Sequence, residues 1–258
     1  MSADQKRKER ATQVVRHGVA RVLSKMGLAS RTQASVWVRE GRVTVNQQIV
    51  RDPEHPVVQG VDDVRVDGQR PQSAARHVIM LNKPRGLVTT TSDEKGRDTV
   101  YQCFANSHLP WLAPVGRLDK ASEGLLLFCN DPVWAAQITD GPARPDKTYH
   151  VQVNANLDDS ALAQIAAGAE VEGEFLSVVA ISVLRSGKRN SWLEIVLNEG
   201  KNRHIRRLLS HFNIRVVRLM RVAIGTLVLG TLAKGQWRPL DLSEIDSLTN
   251  HSVKPSTQ

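Results

Sequence analysis

The feature that most constrains this chain lies between Val115 and Cys129. Val115-Gly116-Arg117-Leu118-Asp119-Lys120-Ala121-Ser122-Glu123-Gly124 leads straight into Leu125-Leu126-Leu127-Phe128-Cys129. A continuous apolar run of this length, bounded by glycine, fits a fully buried strand. The segment therefore places a carboxylate, Asp119, in a loop just ahead of a rigid strand. Such a strand holds a reactive side chain to the tolerance that catalysis demands. Asp119 could equally cap a turn or pair with Arg117, and the residues alone leave both readings open.

The chain has 258 residues, which fits one large or two unequal domains. Hydrophobic residues make up 41%, enough for a proper core. Lys and Arg total 35 against 26 acids, a net charge of +9, which favours a polyanionic partner, nucleic acid before membrane. The charge is concentrated. Residues 1–51 hold eleven Lys/Arg and three acids, and residues 201–240 hold nine Lys/Arg and no acid. Two such blocks can form one footprint or two on a long ligand. Cys103 and Cys129 lack metal-ligand spacing and fit a reducing cytosol, with Cys129 buried and inert. No apolar stretch is long enough for a membrane helix, and Met1–Arg10 carries charge without a following hydrophobic segment, unlike a secretory signal.

Patterning divides the chain. Residues 1–15 read as a disordered basic tail, 16–70 as a compact unit, 71–76 as a polar linker, 77–246 as a large unit and 247–258 as a polar tail. In the small unit, Val19 to Met26 has helical spacing and stops at Gly27. Ser30 opens a second helix and forms a capping-box pattern with Gln33. Arg42–Asn46 and Val61–Val66 read as strands. The large unit alternates strands with helices. Val78–Asn82 reads as a buried strand, and Lys147–Val153 as one with Tyr149, Val151 and Val153 on one face. Leu193, Ile195 and Leu197 share a face of a later strand, and Arg203–Phe212 is an amphipathic helix. The fold expected is α+β with a mostly antiparallel mixed sheet.

Arg21 and Lys25 lie four apart on one helix face, and Arg31 sits in the first turn of the next helix. Basic faces and helix N-termini both bind phosphate, although a solvated surface explains most such charge. Val19 to Asn46, with Leu28-Ala29-Ser30-Arg31 and Glu40-Gly41-Arg42-Val43-Thr44-Val45-Asn46, resembles the S4 RNA-binding domain. That resemblance implies binding to structured RNA and is silent on catalysis.

Gly116-Arg117-Leu118-Asp119 followed by Gly124-Leu125-Leu126-Leu127 resembles the catalytic motif of the RsuA family of ribosomal RNA pseudouridine synthases. Leu81-Asn82-Lys83-Pro84-Arg85-Gly86 resembles the family's opening strand and loop, and Lys147-Thr148-Tyr149 its second motif. Glu199-Gly200-Lys201-Asn202-Arg203-His204-Ile205-Arg206-Arg207, with Val217–Arg221 and Ile224–Leu227, resembles its third. Ser122 suits its place, Glu123 is less usual, and His204 stands where Gln is common.

The resemblance implies that Asp119 is the nucleophile and Arg206 its ion-pair partner. Arg206 sits at the edge of its helix's apolar stripe, with Arg203 and Arg207 further round towards solvent. Tyr149 would stack on the target base and assist proton transfer, and Leu219 would wall the uracil pocket. On their own residues, Tyr149 and Leu219 read equally as core and Arg206 as a phosphate contact. Arg117 would fill the gap left by a flipped base, and Lys83, Arg85, Lys201 and Arg203 are candidate RNA contacts. The expected partner is ribosomal RNA, free or in a pre-ribosomal particle and large-subunit rather than small-subunit, met in the cytoplasm by a monomer. No metal or cofactor is expected, because the isomerisation is redox-neutral and conserves every atom of the uridine, and no membrane is expected. A non-catalytic RNA-binding protein and a DNA-acting glycosylase are the alternatives.

Overall fold

A computed structural model describes residues 15–72, 75–91, 93, 95–105 and 107–249. The chain divides into two compact units, Met1–Arg76 with Pro110–Leu112, and His77–Leu109 with Ala113–Gln258. The expected basic tail lies almost entirely outside the described residues.

In the small unit, α1 (Val19–Lys25) and α2 (Arg31–Arg39) are split by Gly27 at φ +75°. Ser30 Oγ accepts from the Gln33 backbone N–H at 3.0 Å, which is half of the expected capping box. Val19, Ala20, Val22 and Leu23 of α1 pack with Ala34 and Val38 of α2. They cover a three-stranded sheet in the order Gln48–Ile49, Val43–Val45, Val64–Val66. The last strand begins at Val64 rather than Val61. Val61 is 79% exposed in a turn, where the Asp62 carboxylate accepts from the Val58 backbone N–H at 2.6 Å and from Asn46 at 2.9 Å. Side-chain bonds of this kind compete with strand pairing and give the segment a turn instead.

The large unit is built on one mixed sheet. Its strands are β1 (Val78–Lys83), β2 (Ala113–Val115), β3 (Glu123–Cys129), β4 (Lys147–Val153), β5 (Ala180–Ser186), β6 (Ser191–Leu197), β7 (Val216–Ile224), β8 (Leu227–Val228) and β9 (Trp237–Pro239). The order is β5-β6-β4-β7-β3-β1-β9, with β8 on β7 and β2 on β3. Every pair is antiparallel except β7 with β3. All residues of β1 and β3 are buried, the apolar runs together with Asn82, Lys83 and Glu123 at their ends, whereas β4 and β6 alternate.

Helices α3 (Pro132–Thr139), α4 (Asp159–Ala167), α5 (His204–His211) and α6 (Leu242–Ser247) complete the unit. Trp134 and Ile138 of α3 and Ile245 of α6 bury against Val78, Met80, Leu125 and Leu127. The polar tail expected from residue 247 starts too early. Asp241 and Glu244 form a reciprocal capping box on α6, and Leu248, fully buried, anchors its end in the core. Of that tail, residues 250–258 lie outside the described residues.

Candidate active site

The loop that carries Asp119 is held by backbone and buried charge. The Ser122 N–H donates to the Asp119 carbonyl at 2.9 Å, closing a turn just before β3. The Gly86 N–H donates to the Lys120 carbonyl at 2.8 Å, and Thr89 Oγ1 to the Leu118 carbonyl at 2.8 Å. Gly124 follows at φ +99°, and a Cβ there would lie 2.2 Å from the Arg221 carbonyl oxygen. Only glycine allows β7 this close to β3, and this approach forms the parallel pair beneath the loop.

Lys83 is fully buried, and its Nζ donates to the carbonyls of Pro84 (3.1 Å), Asp119 (3.3 Å) and Ser122 (2.9 Å). Burial pushes its pKa down to about 8 against the attraction of Asp119, Cys103 and Glu123. The expectation that Lys83 contacts RNA is therefore corrected. Its ammonium points inward and ties the Asp119 turn to the end of β1, where an RNA backbone cannot reach it.

Asp119 is exposed at the edge of a cleft of about 630 Å³. The face of the sheet beneath the cleft supplies Lys147 and Tyr149 from β4 and Leu219 and Arg221 from β7. Tyr149 and Arg221 are register partners across those strands, as are Val151 and Leu219. Tyr149 is 9% exposed and Leu219 6%, so each is core and cleft wall together.

From α5, Ile205 and Arg206 complete the wall. Arg206 does not form the expected ion pair with Asp119. Its Nη2 donates to the Ala121 carbonyl at 3.4 Å, two residues further along the same turn. Burial lowers the Arg206 pKa most, Asp119 acts against this, and Arg203 and Arg85 reinforce it. The carboxylate is thus within electrostatic reach, while the guanidinium rests on the loop backbone.

The other basic residues sort by their surroundings. Arg85, Arg117 and Arg203 are exposed, and among the described residues their side chains form no hydrogen bond or ion pair. Arg203 caps α5 in the left-handed conformation at φ +48°, so the helix proper begins at His204. Lys201 has its charge engaged within the protein, 3.2 Å from Glu199 and donating to the Phe175 carbonyl at 2.7 Å. Arg207 does not face solvent as expected. It bonds to Glu174 at 2.7 Å, Glu172 at 3.0 Å and the Val171 carbonyl at 2.9 Å, on the hairpin of Ala169–Val171 and Glu174–Leu176. That hairpin has no long-range signal in the sequence, so the inward direction of Arg207 could not be read there.

His204 is buried, with Nε2 donating to the Ser177 carbonyl at 2.8 Å and its pKa lowered by burial. Glu123 is also buried, bonded to Arg218 and, at 2.7 Å, to Lys234, outside the cleft lining. The two departures from the expected motifs are thus structural supports. Residues missed in the sequence are Lys147 and Arg221, both in the cleft. The signal was present, since each lies two residues along its strand from a residue singled out, on the same face.

In the small unit, Arg21 is exposed, Lys25 Nζ lies 3.2 Å from His17 Nε2, and Arg31 pairs with Glu54 at 2.7 Å. Both Arg31 and Glu54 remain more than half exposed, so that pair is weak and open to exchange.

The profile of RNA pseudouridylate synthases matches residues 77–211, and that of the S4 domain residues 19–63. A protein of Aquifex aeolicus described as an uncharacterized RNA pseudouridine synthase is 35% identical over 89% of this chain and 92% of its own length. The ribosomal large subunit pseudouridine synthase B of Haemophilus influenzae is 32% identical over 88% of this chain and 66% of its own length. The crystal structure of a pseudouridylate synthase superposes with a TM-score of 0.63 at 28% identity, covering 91% of this chain and 99% of the other. The chain belongs to the RNA pseudouridine synthases, isomerases that in this case carry an S4 domain ahead of the synthase domain.

Proposed function

We propose that this enzyme converts a specific uridine of large-subunit ribosomal RNA to pseudouridine, with the Asp119 carboxylate as nucleophile. The observation that carries this is the position of Asp119, a carboxylate on a loop held by Lys83 and by the β3–β7 approach, lining the same cleft as Tyr149 and Leu219. The choice of large-subunit RNA draws on relatives named for that substrate in Haemophilus influenzae and Pseudomonas aeruginosa. The protein acts as a cytoplasmic monomer on this RNA, free or in a pre-ribosomal particle.

The target base leaves its stack, at a cost of a few kcal/mol, and enters the cleft. Tyr149 stacks on it, Leu219 walls it, and Arg117 fills the gap or grips a flanking phosphate. The C1′–N1 bond breaks and a C1′–C5 bond forms, while C5 loses a proton and N1 gains one. Arg206 leaves the Ala121 carbonyl to pair with Asp119 once the base excludes water, since the attraction strengthens as the dielectric falls. Arg21, Lys25 and Arg31 of the S4 domain, with Arg85 and Arg203, contact the RNA backbone.

The test is tritium release from unmodified ribosomal RNA labelled at C5 of uridine. Wild type releases tritium and Asp119→Ala does not. Release by the variant contradicts the role of Asp119, and an abasic site as product would indicate glycosylase chemistry.

A further inference from the structure

The floor of the cleft carries a charge that the steps above do not use. Lys147 begins β4, is 7% exposed and lines the same cleft as Asp119. Among the described residues its side chain has no hydrogen bond and no ion pair. It shares the β4 face of Tyr149, two residues away. Beside it on β7, Arg221 is 5% exposed. Its Nε donates to the Leu125 carbonyl at 2.8 Å, and its Nη2 is enclosed without an acceptor. The charged groups facing Lys147 are Arg221 and Arg144, with Asp146 and Asp140 acting more weakly in the opposite sense. Burial first, then the two arginines, push the Lys147 pKa down to about 8.

An unpaired buried ammonium beside an enclosed guanidinium weakens a fold, and an apolar side chain would pack there at less cost. An anionic guest relieves that cost. Phosphates suit the exposed cations of the rim, so at this depth the guest is the base. Neutral uridine becomes negative only during the reaction. If Asp119 bonds to C1′ as C1′–N1 breaks, the electron pair stays on N1 and spreads to O2 and O4. If Asp119 adds to C6 instead, the ring's electron pair moves onto O4. In both cases C5 later bonds to C1′ and Asp119 departs. C5 releases its hydrogen as a proton, N1 takes one up, and Lys147 keeps its own throughout.

We infer that Lys147, backed by Arg221, is a further catalytic residue, one that stabilises the negative charge uracil acquires in this cleft. This rests on Asp119 marking the place where uracil detaches. A cation that meets charge only after the reaction begins acts on the rate and little on binding.

The test uses the full chain and large-subunit ribosomal RNA labelled at C5, comparing Lys147→Met, Lys147→Arg and Asp119→Ala with wild type. Lys147→Met is expected to lower kcat about 100-fold or more while KM stays within about threefold. It should melt at or above the wild-type temperature, because a buried unpaired charge has gone. Lys147→Arg should recover most of the rate. The wild-type kcat should fall above about pH 8 as Lys147 loses its proton, and Lys147→Arg should lose distinctly less over the same range, its remaining fall belonging to Lys83. A Lys147→Met enzyme with wild-type kcat overturns the inference, as does a loss matched by a lower melting temperature. If Asp119→Ala stays active, the assignment of the site fails instead, and the two failures are thereby distinguished.

Discussion

The rim and the floor of the cleft hold the same kinds of side chain in opposite circumstances. Arg117 and Arg203 at the rim, and Arg85 within electrostatic reach of Arg206, are exposed and free of partners among the described residues. Lys83 below the loop and Lys147 and Arg221 in the floor are buried, and burial holds both lysines near a pKa of 8. Exposed cations attract a polyanion at long range and lose that attraction to salt. Buried cations are screened far less, so they can fix a loop or meet a charge that forms during the reaction. One basic composition thus serves two ends, and depth decides which.

The largest test of this division alters the ground on which the floor stands. Gly124→Ala places a Cβ 2.2 Å from the Arg221 carbonyl in a backbone conformation unsuited to alanine. It should destabilise the large unit by about 3 kcal/mol, read from urea unfolding. A change under about 1 kcal/mol would mean that the β3–β7 approach is soft.

Next in size is Lys83→Met, which frees the three carbonyls that hold the Asp119 turn. A misplaced nucleophile costs on the order of 100-fold in kcat, with little change in RNA affinity. If affinity falls and kcat does not, Lys83 belongs with the rim after all.

The rim itself should respond in the opposite way. Arg117→Ala and Arg203→Ala should each weaken RNA binding several-fold across sequences and reduce the slope of log K against log salt by about 0.7–0.9. An unchanged slope would remove that residue from the RNA contact.

The smallest effect is on stability against pH. Lys83 and Lys147 titrate near 8 in the folded chain and near 10.5 when unfolded, so the unfolded chain binds more protons between these values. Their contribution to stability therefore rises as pH increases from about 8 towards 10. Lys83→Met and Lys147→Met should each flatten that rise in thermal melts, and an unaltered profile would place both charges in contact with water.

Much of the fold is legible in the sequence. The apolar run Leu125–Cys129 and the alternation of Lys147–Val153 announced β3 and β4, because strand periodicity depends only on local burial. The order of motifs located Asp119, Tyr149 and Arg206, which the fold brings to one cleft. Direction was harder to read. Lys83 follows Asn82 and precedes Pro84 and Arg85, as a lysine in a surface loop would, and only the Asp119 turn folding over it makes it buried. Arg207 turns inward because of a hairpin more than thirty residues away in sequence. Leu248 is a single apolar residue in polar company, and the core it completes is assembled from distant strands. Lys147 shares a strand face with Tyr149, but periodicity gives a residue's face and not the absence of a partner for its charge.

The central claim is that Asp119 attacks the target uridine from a loop tied down by the buried Lys83. Its most direct measurement is tritium release from C5-labelled large-subunit ribosomal RNA by wild type and Asp119→Ala, after equal folding of the two is shown by thermal melting. Release by wild type and none by the variant is the result predicted. Release by a folded Asp119→Ala enzyme at the wild-type rate would contradict the account.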